Sequence, residues 1–319
     1  MNESRESVSI EKTVKDILYV SMELSVDRIE RMKMGLCNEV FAVSAGGRDL
    51  IVRLNIDGKF MKGSEKYIPL FRSKGIKVPD ILVSDCSKVH FPYCYQILTR
   101  IDGDDLGNVI DSLNEKDLKA IAHEIVGMFK KLATVKTDGS FGYVEGQDHA
   151  PHKRWLDAID EIYETSLQRG EQAGTFDKDL NARMRSIIDS FKEYLEGIPS
   201  VFYYDDIASK NVMIYKGQFN GLVDLDGVTF GDPLESVGRM KVCFYDSEEG
   251  RIYLEAVQNE FSLDQSARKV VTFYAVLHQF SWMYENGIQF NQNTSAQVDQ
   301  EKLEQERRAL VAFMQELEQ

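Results

Sequence analysis

The sequence predicts an α+β chain in two parts, a small antiparallel sheet followed by a mainly helical remainder. Three observations carry this. Short β-like runs crowd the stretch before residue 100, with a Gly-Gly turn between two of them. Beyond Asp102-Gly103-Asp104-Asp105 the apolar residues recur at helical spacing. The chain has 319 residues, 43% of them hydrophobic, enough for one large or two medium cores.

The elements follow in order. Residues 14–22 carry apolar side chains at helical spacing and predict a leading helix. Residues 26–34 alternate apolar and charged, as a half-exposed strand does, and 39–44 form a second strand. Gly46 and Gly47 tolerate positive φ and predict a hairpin turn into a third strand over 50–54. A helix is expected over 61–73, ending at Gly75 despite Pro69 inside it. Residues 79–83 and 93–98 complete five strands. The turn-rich 102–105 segment is the expected connection, so residues 1–100 are read as one lobe and 101–319 as a second. There, Ser112-x-x-Glu115 reads as a capping box opening a helix to about Thr134, with Leu118, Ile121, Ile125, Met128, Phe129 and Leu132 on its buried side. Further helices are expected over 155–168 and 180–195, and four more after Leu234.

Composition removes several function classes. A net charge of −14 is a poor match for nucleic acid, which asks for basic charge against phosphates, and suits a cationic small molecule better. The four cysteines, at 37, 86, 94 and 243, form no C-x-x-C pair and have no histidine cluster beside them, so neither a disulfide framework nor a zinc site is expected. The polar, mixed-charge start predicts no signal peptide, and no run approaches the ~20 apolar residues of a membrane span. A cytoplasmic protein without a membrane partner is expected, acting as a monomer.

The chemistry is concentrated in two stretches. In Phe202-Tyr203-Tyr204-Asp205-Asp206-Ile207-Ala208-Ser209-Lys210-Asn211-Val212, an Asp precedes an Asn by five residues between two apolar runs; Gly221-Leu222-Val223-Asp224-Leu225-Asp226 then ends an apolar run in an Asp. That is the layout of a kinase catalytic loop followed by a metal-binding Asp. Phosphoryl transfer needs one carboxylate near the acceptor hydroxyl and oxygen ligands for Mg²⁺ on the nucleotide. Asp206 fits the first role by its spacing to Asn211, in preference to Asp205; Asn211 and Asp224 fit the second.

The ordered set Asp206, Asn211, Asp224 and Gly231-Asp232-Pro233 resembles the aminoglycoside phosphotransferase family, the small-molecule branch of the protein-kinase-like fold. The resemblance covers nearly the whole chain. It implies a bilobal fold, with the sheet lobe binding nucleotide and the helical lobe carrying catalysis and the acceptor. The apolar approach Gly221-Leu222-Val223 matches the family best at Asp224, leaving Asp226 as a group behind it or at a second metal. Gly35-Leu36-Cys37-Asn38-Glu39-Val40-Phe41 resembles the family's nucleotide-covering loop, which makes Gly35 and Asn38 expected nucleotide contacts. Arg53 stands where the family carries Lys or Arg on the nucleotide phosphates, and Glu65 is the expected helix carboxylate paired with it. The strand over 95–99 should enter the hinge, with backbone at Ile97 and Thr99 meeting the base. One departure is plain: Tyr204 and Asp205 replace the family's His and Gly before the catalytic Asp.

The implied activity is a kinase using ATP or GTP with Mg²⁺ and a small cationic hydroxyl-bearing substrate, most naturally an aminoglycoside antibiotic. Two other readings stay open: a metabolic kinase for choline, homoserine or a sugar amine, and a non-catalytic kinase-like binding protein that Tyr204 would permit. Asp232 is expected to cap the next helix, His149 and His152 to lie in a solvated loop, and Trp155 to pack in the core.

Overall fold

The structure is a computed structural model and describes residues 2–32, 38–290 and 294–318. Helix α1 (Asn2–Met22) begins earlier than its apolar spacing suggested; Val14, Ile17 and Leu18 form the stripe that is buried. It is followed by β1 (Val26–Met32), β2 (Glu39–Ala45), β3 (Arg48–Asn55), α2 (Lys59–Ser73), β4 (Ile81–Asp85) and β5 (Cys94–Thr99). The five strands form one antiparallel sheet in the order β1-β2-β3-β5-β4. Gly46 and Gly47, at φ +57° and +72°, make the turn that lets Ala45 pair with Arg48. The α1 stripe packs on Phe41, Val43, Leu50, Val52 and Ile97 from this sheet. The sheet therefore has a helix on it besides α2. Pro69 does not stop α2, which runs to Ser73 before Gly75 turns the chain at φ +69°.

After β5 comes β6 (Asp104–Asp105), then α3 (Leu106–Val109) and α4 (Glu115–Leu132). Two local expectations are corrected here. The 102–105 segment is more than a connector: Asp104 and Asp105 pair with Ile214 and Met213. A Cβ on Gly103 would fall 2.1 Å from the Ile214 carbonyl, so the close approach there requires glycine. The cap of α4 is Asn114, whose side chain accepts from the Asp117 amide, and not Ser112, which lies in a 3₁₀ turn with its hydroxyl on the Val109 carbonyl. The predicted buried face of α4 is the observed one.

The remaining elements are β7 (Gly142–Val144), α5 (Trp155–Ala173), α6 (Lys178–Ser190), α7 (Lys192–Glu196), β8 (Val201–Tyr203), β9 (Val212–Tyr215), β10 (Gln218–Leu222), β11 (Val228–Gly231), α8 (Leu234–Cys243), α9 (Glu248–Glu260), α10 (Gln265–Met283) and α11 (Gln300–Glu318). The single helix expected over 180–195 is two, divided at Phe191, whose ring stacks on Phe273 of α10 at 4.5 Å. Two three-stranded sheets, β10-β9-β6 and β7-β11-β8, lie among these helices.

Helix α2 joins the sheet to the helical part. Tyr67 and Phe71 reach Phe202 and Tyr204 in edge-on or tilted ring contacts between 5.9 and 6.3 Å. The tightest point is Gly63, where a Cβ would lie 1.6 Å from the backbone carbonyl oxygen of Asp226. Neither side of that contact is a flexible side chain. Gly63→Ala is therefore expected to cost at least the ~1–3 kcal/mol of an overpacked core. Urea unfolding reads this as a lower midpoint; an unchanged midpoint would show that α2 does not seat against this loop.

Candidate active site

The loop 204–211 is held at both ends by ladders. Tyr203 pairs with Thr229 of β11, and Val212 pairs with Leu222 of β10. Tyr203, Tyr204, Ile207 and Val212 are buried and anchor the loop, while the Asp206 side chain stays 50% exposed. One Asp206 oxygen accepts from Asn211 Nδ2 at 2.7 Å and the other from Arg239 Nη1 at 2.8 Å. The same Asn211 nitrogen donates to the Asp206 carbonyl at 3.1 Å, which leaves the Asn211 side-chain oxygen as an acceptor for something else. Arg239, on α8, was not singled out in the sequence. Its one signal is a lone arginine seven residues beyond Asp232 on a largely apolar helix.

Arg239 also contacts Asp205 at 3.4 Å. Burial pushes the Asp205 carboxyl up to about 7, Arg239 opposing it. The guanidinium itself is held above its ordinary value, because Asp206, Asp205 and Glu235 outweigh the burial that would lower it.

Tyr204 ties the loop to the segment after β10. Its hydroxyl donates to the carbonyls of Val223 and Asp224 at 3.1 and 3.0 Å, and its ring meets Phe71 edge-on. Burial raises this hydroxyl well above its ordinary value, so it remains a donor at any physiological pH.

That tether holds the segment after β10. The strand ends at Leu222, so Asp224 and Asp226 lie on a loop and not on one strand face. Asp224 takes φ +61°, a left-handed conformation that a non-glycine residue adopts at a cost. The turn divides the two carboxylates. Asp224 is 52% exposed and only 3.4 Å from Arg53 Nη1; Asp226 is 15% exposed, with Arg53 Nη2 at 2.6 Å and Asn38 Nδ2 at 3.0 Å. Open to solvent on one side, Asp224 is crowded by protein on the others. That desolvation, with the Asp226 charge, pushes its carboxyl up to about 6 against the pull of Arg53.

Arg53 extends from β3 into this group with a side chain only 6% exposed. Its Nη2 also meets Gln96 Oε1 at 2.9 Å and Ser64 Oγ at 3.2 Å. The expected pairing with Glu65 is corrected: Glu65 accepts from Ser84 at 2.6 Å. Each residue turns a helix by 100°, and it is Ser64 that α2 presents to Arg53. Glu65 reaches Arg53 only indirectly, through Ser84 and then Gln96.

One further expected contact is corrected. Ile97 lies in the middle of β5 with ladders on both sides, against Val52 and Val83, so its backbone is enclosed within the sheet. The Thr99 amide is taken by the Asp80 carbonyl. The chain leaves the sheet only after Thr99. Asn38 is placed with its amide on Asp226 and its oxygen accepting from Asn55. Gly35 lies outside the described residues. Asp232 accepts from the Leu234 amide and from the hydroxyls of Tyr194 and Tyr274, which is a structural post. Trp155 is buried with its indole nitrogen donating to Tyr274. His149 and His152 pair with Asp138 and Glu161.

Among the described residues no group of three or more His, Cys, Asp or Glu could hold a metal ion. The residues fit Mg²⁺ in another way. Mg²⁺ is bound through one or two protein oxygens and completes its shell with phosphates and water. The free oxygen of Asn211 and the open carboxylate of Asp224 are donors of that kind. The Arg53 Nη1 has only the long Asp224 contact, so its donors remain for an anion. A surface cavity of about 410 Å³ between α2 and β4, lined by Ile68, Pro69, Arg72, Ser73, Asp80 and Ile81, contains none of these groups. The half-exposed carboxylates of Asp206 and Asp224, near enough for the charge of the first to act on the second, mark the candidate site.

The profile of the family described as APH, phosphotransferase enzyme family, matches residues 28–274. The chain belongs to this family. A search of curated protein sequences gives no match. Among solved structures, the chain is similar to a thermostable mutant of aminoglycoside phosphotransferase APH(4)-Ia in its apo form, at 17% identity and a TM-score of 0.74, covering 95% of this chain and 98% of that one. The same enzyme in ternary complex with AMP-PNP and hygromycin B matches at 17% identity and 0.72, with the same coverage. ADP-bound APH(2'')-Ib matches at 15% and 0.64, covering 95% and 97%. At such identities the likeness establishes the fold. The α+β kinase-like architecture, a sheet lobe followed by a helical part, is the one this phosphotransferase-family chain adopts. No helix among its described residues is long and apolar enough to cross a membrane.

Proposed function

We propose that this chain is a small-molecule kinase that transfers the γ-phosphoryl group of ATP or GTP to a hydroxyl of a small cationic acceptor, an aminoglycoside before any other. The observation that carries the reading is that Asp206, hydrogen-bonded to Asn211, lies near enough to Asp224 for its charge to act there, with the buried Arg53 on Asp224 from the other lobe. The sheet lobe, residues 1–100, would hold the nucleotide, and residues 101–319 the acceptor and the reacting groups.

In this reading Asp206 receives a hydrogen bond from the acceptor hydroxyl and takes its proton as the oxygen bonds to phosphorus and the nucleoside diphosphate leaves. Asn211 and Arg239 fix the carboxylate from both sides, so alignment is arranged before substrate arrives. Asn211 and Asp224 would hold Mg²⁺, which supplies neutralisation of phosphate charge. Arg53 orients the phosphate tail through the donors left on its guanidinium. Tyr204 keeps the Asp224 loop in place, which favours a working kinase over a binding protein that has lost its catalytic loop.

The cationic acceptor is supported by the net charge of −14 and by similar structures solved in complex with hygromycin B, for APH(4)-Ia, and with gentamicin, for APH(2")-IIa. Purified protein incubated with [γ-³²P]ATP or GTP, Mg²⁺ and a panel of aminoglycosides, choline, homoserine and sugar amines is expected to label an aminoglycoside. Labelling of choline or a neutral acceptor alone would replace the substrate class and keep the kinase. Absence of nucleotide binding would remove both.

A further inference from the structure

We propose that Asp226 is the positioning carboxylate for Arg53, standing in for a helix glutamate, and that it is not a metal ligand. The inference rests on the kinase reading above and assigns a role within that site.

A guanidinium as enclosed as that of Arg53 needs a counter-charge, since an unpaired buried ion is strongly unfavourable. Helix α2 does not supply one: it offers Ser64, and Glu65 turns to Ser84. Asp226 does, through the shortest contact Arg53 makes among the described residues, 2.6 Å. The approach is fixed from the backbone, because the Asp226 carbonyl is seated against Gly63, where no side chain fits. The loop and α2 thus carry Asp226 and Ser64 to the same guanidinium nitrogen.

The geometry also separates Asp226 from Asp224. Both Asp226 oxygens face donors from the sheet lobe, one on Arg53 and one on Asn38. Asp224 stays half exposed to solvent. On the guanidinium, Nη2 is taken by Asp226, Gln96 and Ser64, whereas Nη1 has only a 3.4 Å contact. One end of Arg53 is anchored and the other is left for phosphate. Asp226 therefore acts on nucleotide through Arg53.

The test compares Asp226→Asn with wild type by three measurements: titration with AMP-PNP, the KM and kcat for nucleotide in the best acceptor assay, and the Mg²⁺ concentration for half-maximal turnover. Expected is a rise of about tenfold or more in AMP-PNP Kd and nucleotide KM, the scale of one charge-assisted hydrogen bond. The kcat at saturating nucleotide and the Mg²⁺ half-saturation should stay within a few-fold of wild type. With Arg53→Gln measured alone as reference, adding Asp226→Asn to it should weaken AMP-PNP binding little further, since Asp226 acts through Arg53. This double variant leaves no lone buried charge, so it remains available if Asp226→Asn alone does not fold. A raised Mg²⁺ half-saturation with unchanged AMP-PNP affinity would overturn the proposal and make Asp226 a metal ligand; fully additive losses in the double variant would also overturn it. A wild type that binds AMP-PNP yet labels no acceptor would sink the proposed function while the binding arms still decide Asp226. A wild type that does not bind AMP-PNP would end both.

Discussion

Asp206→Ala and Asp206→Asn are expected to reduce phosphoryl transfer by about 10²–10⁴-fold, the range for loss of a positioned general base, while leaving nucleotide affinity within a few-fold of wild type. The separation follows from position. Asp206 is bonded to Asn211 and Arg239, and neither it nor Arg239 touches Arg53. Removing its carboxylate deprives the acceptor hydroxyl of a proton partner and leaves the phosphate-facing groups in place. Arg239 retains Asp205, so the arginine is not left without a counter-charge in either variant. Rapid-quench transfer assays alongside nucleotide titrations separate the two quantities. Full transfer in Asp206→Asn would remove it as the base, and Asp205, on the same arginine, would become the candidate.

Asp224→Asn is expected to abolish Mg²⁺-dependent turnover, with a loss of about 10²–10³-fold or more, the scale of deleting one preorganised charge-stabilising group. Asn is the right probe because it tolerates the +61° φ at this position, where Ala would add backbone strain. Folding should not suffer. The Asp224 carboxyl is raised from 3.8 to about 6, so the folded protein holds this proton more tightly than the unfolded chain between those values. The stability it contributes is full below 3.8 and is lost as pH rises through about 6. The Mg²⁺-free variant should therefore melt at or above the wild-type temperature at pH 8, and the difference should close by about pH 4. The same proton competes with Mg²⁺, so wild-type Mg²⁺ affinity should weaken below about pH 6. Lower variant stability at pH 8 would contradict this. Persistent turnover in Asp224→Asn together with a dead Asp226→Asn would exchange the two carboxylates.

Both variants probe a crowded arrangement of like charges. The crowding of carboxylates at 205, 206, 224 and 226 is tolerated because the buried Arg53 and the half-buried Arg239 sit between them. Sites that violate local rules of charge and backbone are where activity is commonly held.

How much of this was legible in the chain divides along physical lines. Whatever depends on neighbours in sequence could be read directly. The alternation and turn at Gly46-Gly47, the helical face of α4 and the five-residue step from Asp206 to Asn211 are local patterns, and each produces its element or its hydrogen bond with little help from the rest of the molecule. The family resemblance rested on the same kind of local order. Short-range competition already blurred detail: Ser112 and Asn114 are both good caps, and the 3₁₀ turn decided between them. What only the tertiary structure decided is which charges meet. Arg53 lies 173 residues from Asp226, and Arg239 comes to the 204–211 loop from helix α8. No periodicity records such pairings, because a buried arginine accepts any carboxylate that packing brings within reach. The rotation of α2 that presents Ser64, the fit of Gly63 against the loop and the left-handed turn at Asp224 together chose Asp226 over Glu65. The residue types of the site were written in the sequence, but their partners were set by helix rotation and backbone contact, which exist only once the chain has packed.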